Sequence, residues 1–180
     1  VTAEKTRPFA VACMVAAAAV LIDQFSKAIA LTALADGRRV PIIGDAFGLQ
    51  LAFNPGAVLG TGSGMTWVLT LIGVAAVAGL FVLAARARTV GWAGGVGLFL
   101  GGAVGNLIDR FMSPPGFAIG HVTDFLAYGR LFIGNLADVF LAAGAIAVAV
   151  MLMLRQRAHS GTKVAPATPP TFGVPPEDKQ

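Results

Sequence analysis

Residues 65–85 pass without a single charged side chain, and crossing the hydrocarbon of a bilayer takes about 20 predominantly apolar residues in a helix. A stretch of this kind has to satisfy its own backbone hydrogen bonds, which a helix does. Three further segments have similar character: residues 9–34, charged only at Asp23 and Lys27 near their far end; residues 90–108; and residues 132–154, with Asn135 and Asp138 at their start. The expected fold class is therefore an all-α membrane protein with four transmembrane helices.

Composition agrees. The chain is 56% apolar and only 12% charged, with a mean hydropathy of +0.78, whereas soluble domains average about 25% charged residues. Its 180 residues fit one domain, expected over 1–158, followed by a Pro-, Thr- and Lys-rich tail over 159–180 with too little apolar surface to order itself. The net charge of +4 comes from residues scattered at span ends rather than gathered on one face, so no nucleic-acid partner is expected. A lone Cys13 excludes a disulfide framework and a Cys-based zinc site. Too few apolar residues precede it for a secretory signal, so it reads as a small buried residue of the first span.

Four spans place both termini on one side. Lys5, Arg7, Arg86, Arg88, Arg155, Arg157, Lys163 and Lys179 then face Lys27, Arg38, Arg39, Arg110 and Arg130 across the membrane. That bias predicts cytoplasmic termini. Asp23, Asp36, Asp45, Asp109, Asp124 and Asp138 all fall on the outer side, which is where function is expected. Between the first two spans, Val40-Pro41-Ile42-Ile43-Gly44 and Phe47 to Phe53 alternate enough to predict a small interfacial β-hairpin. Gly97, Gly101 and Gly105, four apart, predict close helix packing in the third span.

Ionisable groups at the edge of hydrocarbon are costly to desolvate, so their default reading is functional. Asp23 and Lys27 are i and i+4 and can pair, as a neutralised boundary pair or as a strut for a site. Asn54-Pro55 favours a turn, and its amide is also suited to a substrate carbonyl. Asn106, Asp109 and Arg110 share one helix face, with Asp109 and Arg110 placed to hold one another. Asn135 and Asp138 project together from the start of the fourth span, where an Asp also suits the helix dipole. Asp124 lies in His121-Val122-Thr123-Asp124-Phe125.

Other chemistries lack their parts. There is no H-E-x-x-H, Gly62-Ser63-Gly64 is not a nucleophile elbow, and the histidines are His121 and His159 alone. Carboxylates remain. Two brought together share a proton, so one can activate water while its protonated partner polarises a carbonyl, with no metal or organic cofactor.

Five segments occur in order: Asp23-Gln24-Phe25-Ser26-Lys27, Phe53-Asn54-Pro55-Gly56-Ala57, Gly101 to Arg110 (reading GGAVGNLIDR), His121 to Phe125, and Asn135-Leu136-Ala137-Asp138. Together they resemble the lipoprotein signal peptidases, or signal peptidase II. The resemblance implies a bacterial cytoplasmic-membrane enzyme with four helices and an extracytoplasmic β-cradle. Such an enzyme removes signal peptides from diacylglyceryl-modified prolipoproteins, cutting before the lipidated Cys, with membrane lipids as further partners and a monomeric state. It implies Asp124 and Asp138 as the catalytic dyad, with Asp109 the rival of Asp124. Asp23, Lys27, Asn54, Gly56, Asn106, Asp109, Arg110, Asn135 and Ala137 become supporting or substrate-binding residues. Gly134, Val139 and Leu59 depart from the family pattern and are expected to reshape the pocket wall, and the segment between Arg110 and His121 is longer than usual. An inert lipoprotein-binding paralogue is the alternative. A small proton- or ion-coupled transporter is a weaker one, because its polar groups belong near the bilayer midplane.

Overall fold

The computed structural model describes residues 3–56 and 63–161. Its helices are α1 (Ala3–Ala33), α2 (Thr66–Ala85), α3 (Val90–Met112) and α4 (Leu136–Gly161). Each contains a stretch of 20 to 27 residues long and apolar enough to cross a membrane, at least about 30 Å at 1.5 Å per residue. The strands β1 (Val40–Ile43), β2 (Phe47–Asn54), β3 (Val122–Tyr128) and β4 (Phe132–Gly134) form one antiparallel sheet in the order β1-β2-β3-β4. Connectivity puts this sheet at the end of the bundle where α1 and α3 finish and α2 and α4 begin.

Helix α3 is the central element because its glycines let neighbours approach. A Cβ at Gly97 would lie 2.7 Å from Ala12 O, and one at Gly101 2.8 Å from Ala16 O, both on α1. On the other side a Cβ at Gly102 would lie 2.4 Å from Ala137 O. Small-residue faces of this kind replace the hydrophobic driving force that lipid does not supply. Helix α2 is apolar all round and exposes Trp67, Leu71, Ile72 and Phe81, as a lipid-facing helix does.

The expected hairpin forms: Val40 pairs with Leu49 and Pro41 with Gly48. Its turn is made by Gly44, whose φ of +48° suits a residue without Cβ. Ala30, Leu34, Phe125 and Leu126 form the core beneath the sheet, seating it on the last turns of α1.

Several helix boundaries differ from the expected spans, and α1 begins at Ala3 rather than at residue 9. The third helix continues past residue 108 to Met112, because Asp109 and Arg110 find buried partners there and need not leave the bundle. The fourth begins at Leu136 rather than 132, because Phe132–Gly134 is held by pairing with β3. Helix α4 also runs on to Gly161. Residues 162–180, most of the expected tail, and Leu59 lie outside the described residues.

Candidate active site

At the sheet end, α1 contributes a fully buried Asp23 and Lys27. Lys27 Nζ lies 2.8 Å from Asp23 Oδ2 and 3.0 Å from Asp109 Oδ2, and donates to Asn106 Oδ1 at 3.2 Å. An ammonium has three protons and no acceptor capacity, so these three partners satisfy it. Both residues of the Asp23–Lys27 pair lie deep in the bundle, and Lys27 joins the pair to α3. Unpaired, either charge would cost several kcal/mol (order of magnitude) to bury.

Asp109 also accepts the backbone N–H of Thr123 through Oδ2 at 2.9 Å. It therefore holds Lys27 and a strand, and its expected pairing with Arg110 is replaced. Arg110 instead donates to the carbonyl oxygens of Asn54, Gly120 and Gly56. Its planar fork suits several fixed acceptors at once, and it ties the end of β2 to the segment before β3.

Asp124 is 2% exposed and sits on β3 opposite Ala52. Asn135 Nδ2 donates to its Oδ1 at 2.6 Å and Asn54 Nδ2 to its Oδ2 at 3.2 Å. Asn54 Oδ1 in turn accepts Gly56 N–H at 2.9 Å, the self-closing turn of an Asn-Pro-Gly segment. Burial pushes the Asp124 carboxyl up to about 6; the Asn135 bond opposes this, the charge of Asp138 adds to it, and Asn54 and Lys27 oppose it.

Asp138 sits three residues into the chain from the cap of α4. Its N–H donates to Asn135 Oδ1 at 3.0 Å, while its Oδ2 accepts Asn135 N–H at 3.2 Å. This is a reciprocal capping box with Asn and Asp in the two roles. Asp138 Oδ1 accepts from Asn106 Nδ2 at 2.8 Å. Ala137, between cap and aspartate, donates its N–H to Asp23 Oδ1 at 2.9 Å. Its place in the site is a backbone one.

Every residue named from the sequence as catalytic, supporting or substrate-binding thus joins one bonded network, and Asn135 touches both Asp124 and Asp138. Gln24 was missed, though it lies inside the first motif: its Nε2 donates to Asp23 Oδ2, Gly105 O and Asp109 Oδ1. An amide lying between Asp23 and Lys27, two charged residues of a span that must be buried, was the available signal. Of the departures, Gly134 does border the site, since a Cβ there would lie 2.9 Å from Asp138 Oδ2. Val139 is 41% exposed and so is only partly available to a pocket wall. His121 is fixed through its backbone N–H, which donates to Pro114 O.

Four apolar spans with a buried polar network at one end define a multi-pass membrane protein. The chain belongs to the Signal peptidase (SPase) II family, whose model matches residues 15–154, and is a peptidase by that membership. A lipoprotein signal peptidase of Bifidobacterium adolescentis is 47% identical over 145 residues, covering 81% of this chain and 77% of the relative. One of Mycobacterium avium is 44% identical over 137 residues, covering 76% and 75%. A bacterial membrane enzyme solved at 2.3 Å by the in meso method superposes with a TM-score of 0.73 at 24% identity, over 87% of this chain and 94% of that one. A second, solved at 1.9 Å, gives 0.67 at 25% identity, over 78% and 91%.

Proposed function

We propose that this protein removes signal peptides from diacylglyceryl-modified prolipoproteins by aspartic-type hydrolysis, cutting on the N-terminal side of the lipidated Cys. The observation that carries the reading is the placement of Asp124 and Asp138 on either side of Asn135, whose amide and backbone reach one carboxylate each. Membership of a family whose relatives are named lipoprotein signal peptidases supplies the substrate class.

In the reaction, one carboxylate removes a proton from water as the water oxygen attacks the scissile carbonyl carbon. The protonated partner donates to the carbonyl oxygen, giving a gem-diol. Collapse breaks the C–N bond, and the departing amine takes a proton from the pair. The site works at the outer face of a bacterial cytoplasmic membrane, both termini are cytoplasmic, the enzyme acts as a monomer, and acyl chains lie among the helices. The sheet end also carries the exposed apolar side chains of Met112, Phe117 and Leu131, which suit contact with the membrane–water boundary.

Incubating purified protein with a lipidated prolipoprotein, followed by mass spectrometry, tests this. Two fragments divided before the lipidated Cys are expected. Asp124→Asn and Asp138→Asn should each abolish cleavage while leaving the protein folded, and Asp109→Asn should impair it by releasing Lys27 and Thr123. Full loss from Asp109→Asn with activity retained in Asp124→Asn would reassign the pair. An intact precursor in the presence of folded wild-type protein would favour the inert lipoprotein-binding alternative.

A further inference from the structure

Each of the two candidate catalytic aspartates follows a residue whose backbone is gripped by another buried carboxylate. Ala137, immediately before Asp138, donates its N–H to Asp23 Oδ1 at 2.9 Å. Thr123, immediately before Asp124, donates its N–H to Asp109 Oδ2 at 2.9 Å. The gripping carboxylates lie on different helices, Asp23 on α1 and Asp109 on α3. Their side chains are 0% and 6% exposed.

Two side chains of α1 join these arms. Lys27 Nζ lies 2.8 Å from Asp23 Oδ2 and 3.0 Å from Asp109 Oδ2. Gln24 Nε2 lies 3.1 Å from Asp23 Oδ2, 3.2 Å from Asp109 Oδ1 and 3.1 Å from Gly105 O. Without a bridge the two carboxylates repel across a dry interface. With the ammonium and the amide between them, their separation is set by the reach of Lys27 and Gln24. We infer that Gln24 and Lys27 form a crosspiece that sets the distance between Asp124 and Asp138, making Gln24 a positioning residue for hydrolysis.

This rests on reading Asp124 and Asp138 as the catalytic pair. It is separable from the packing of α1 on α3, which Gly97 and Gly101 secure further down the bundle against Ala12, Ala16 and Ala19. Loss of the Gln24 amide should therefore leave the helices assembled but let the two arms relax. A shift of a fraction of an ångström between reacting groups reaches the rate before it reaches affinity, since about 1 Å costs on the order of a hundredfold.

The test uses the full-length enzyme in one detergent or nanodisc, with a lipidated precursor. Gln24→Leu removes every donor, and Gln24→Asn keeps the amide but shortens its reach. Either variant should lower kcat at least tenfold, by the same misplacement argument, with KM within threefold of wild type. The alkaline limb of the kcat/KM profile should move to lower pH by about half a unit or more, because carboxylates further apart repel less. A stabilising residue alone would lower Tm and the active fraction without moving that limb. If Gln24→Leu does not fold, Gln24→Asn carries the same readouts. A kcat within twofold of wild type, or a loss that follows the folded fraction with the limb unmoved, overturns the crosspiece. Activity surviving in Asp124→Asn or Asp138→Asn would overturn the underlying pair instead.

Discussion

Asn135 donates its side-chain amide to Asp124 Oδ1 at 2.6 Å, from a position that also caps α4. The same side chain accepts the N–H of Asp138 at 3.0 Å through Oδ1. One residue thereby fixes the start of a transmembrane helix and the orientation of a carboxylate on a strand. Its amide group is bonded at both ends, through Nδ2 and through Oδ1, so the direction in which it points is set by bonding and not by freedom of rotation.

That bond has a pH consequence. The Asp124 carboxyl is raised to about 6 mainly by burial, and the Asn135 bond works against this. Asn135→Ala should therefore raise it further, and the alkaline limb of kcat/KM should move to higher pH. The group costs stability when ionised: the cost is absent below its unfolded value near 3.8, grows as pH rises, and is complete above about 6. A displacement of that size corresponds to on the order of 3 kcal/mol. Asp124→Asn should consequently raise Tm relative to wild type at pH 7.5 and have little effect at pH 4. Thermal unfolding of both proteins at the two pH values decides it; an equal effect at both would remove the buried-carboxylate explanation.

Gly102 lets α3 approach the start of α4 closely. A methyl there would meet Ala137 O at 2.4 Å and Leu141 N at 2.8 Å, both backbone atoms that cannot swing aside. Gly102→Ala should push α4 outward and disturb Asp138 with it, costing about 1–3 kcal/mol of stability as an overpacked site. Activity should fall by more than the loss of folded protein explains, measured as specific activity per folded molecule. Unchanged Tm and activity would mean that the helices separate more easily than their packing implies.

Orientation is open to chemical labelling. In a Cys13→Ala background, single cysteines at Asp36 and Ser160 should react with a membrane-impermeant thiol reagent from opposite sides of the membrane. Asp36 is exposed beside Arg38, which donates to it, so the reagent can reach it. Labelling of both from one side contradicts the four-span arrangement.

Lipid on the substrate should dominate recognition. Burying a CH₂ group from water yields about 0.8 kcal/mol, although chains arriving from membrane gain much less. An unlipidated precursor of the same peptide sequence should be cleaved at least a hundredfold more slowly, on the order of 3 kcal/mol in kcat/KM. Equal kcat/KM values in the same nanodisc would mean that the peptide alone is read.

Much of this molecule is determined by its sequence without help from tertiary contacts. Charge-free stretches such as residues 65–85 must become spans, because hydrocarbon leaves a polar backbone no other partner than itself. The bunching of Asp23, Asp109, Asp124 and Asp138 near one set of span ends follows from chain connectivity once the spans are drawn. The hairpin of β1 and β2 was legible because alternation and a Gly-containing turn are local signals.

Tertiary structure decided the rest. Strand β3 carries no alternation, since residues Val122 to Ala127 are all buried, so no period could announce that Asp124 stands on a strand. Partner choice was equally hidden. Asp109 and Arg110 are adjacent in sequence, yet Asp109 holds Lys27 and Thr123 while Arg110 reaches Asn54, Gly56 and Gly120. Gln24 meets Asp109 across 85 residues of chain. Such pairings follow from how closely Gly97, Gly101 and Gly102 let three helices approach. Helical spacing tells which side chains share a face; only the packed bundle selects which face meets which, because a buried charge is bonded to whatever the neighbouring backbone brings within 3 Å.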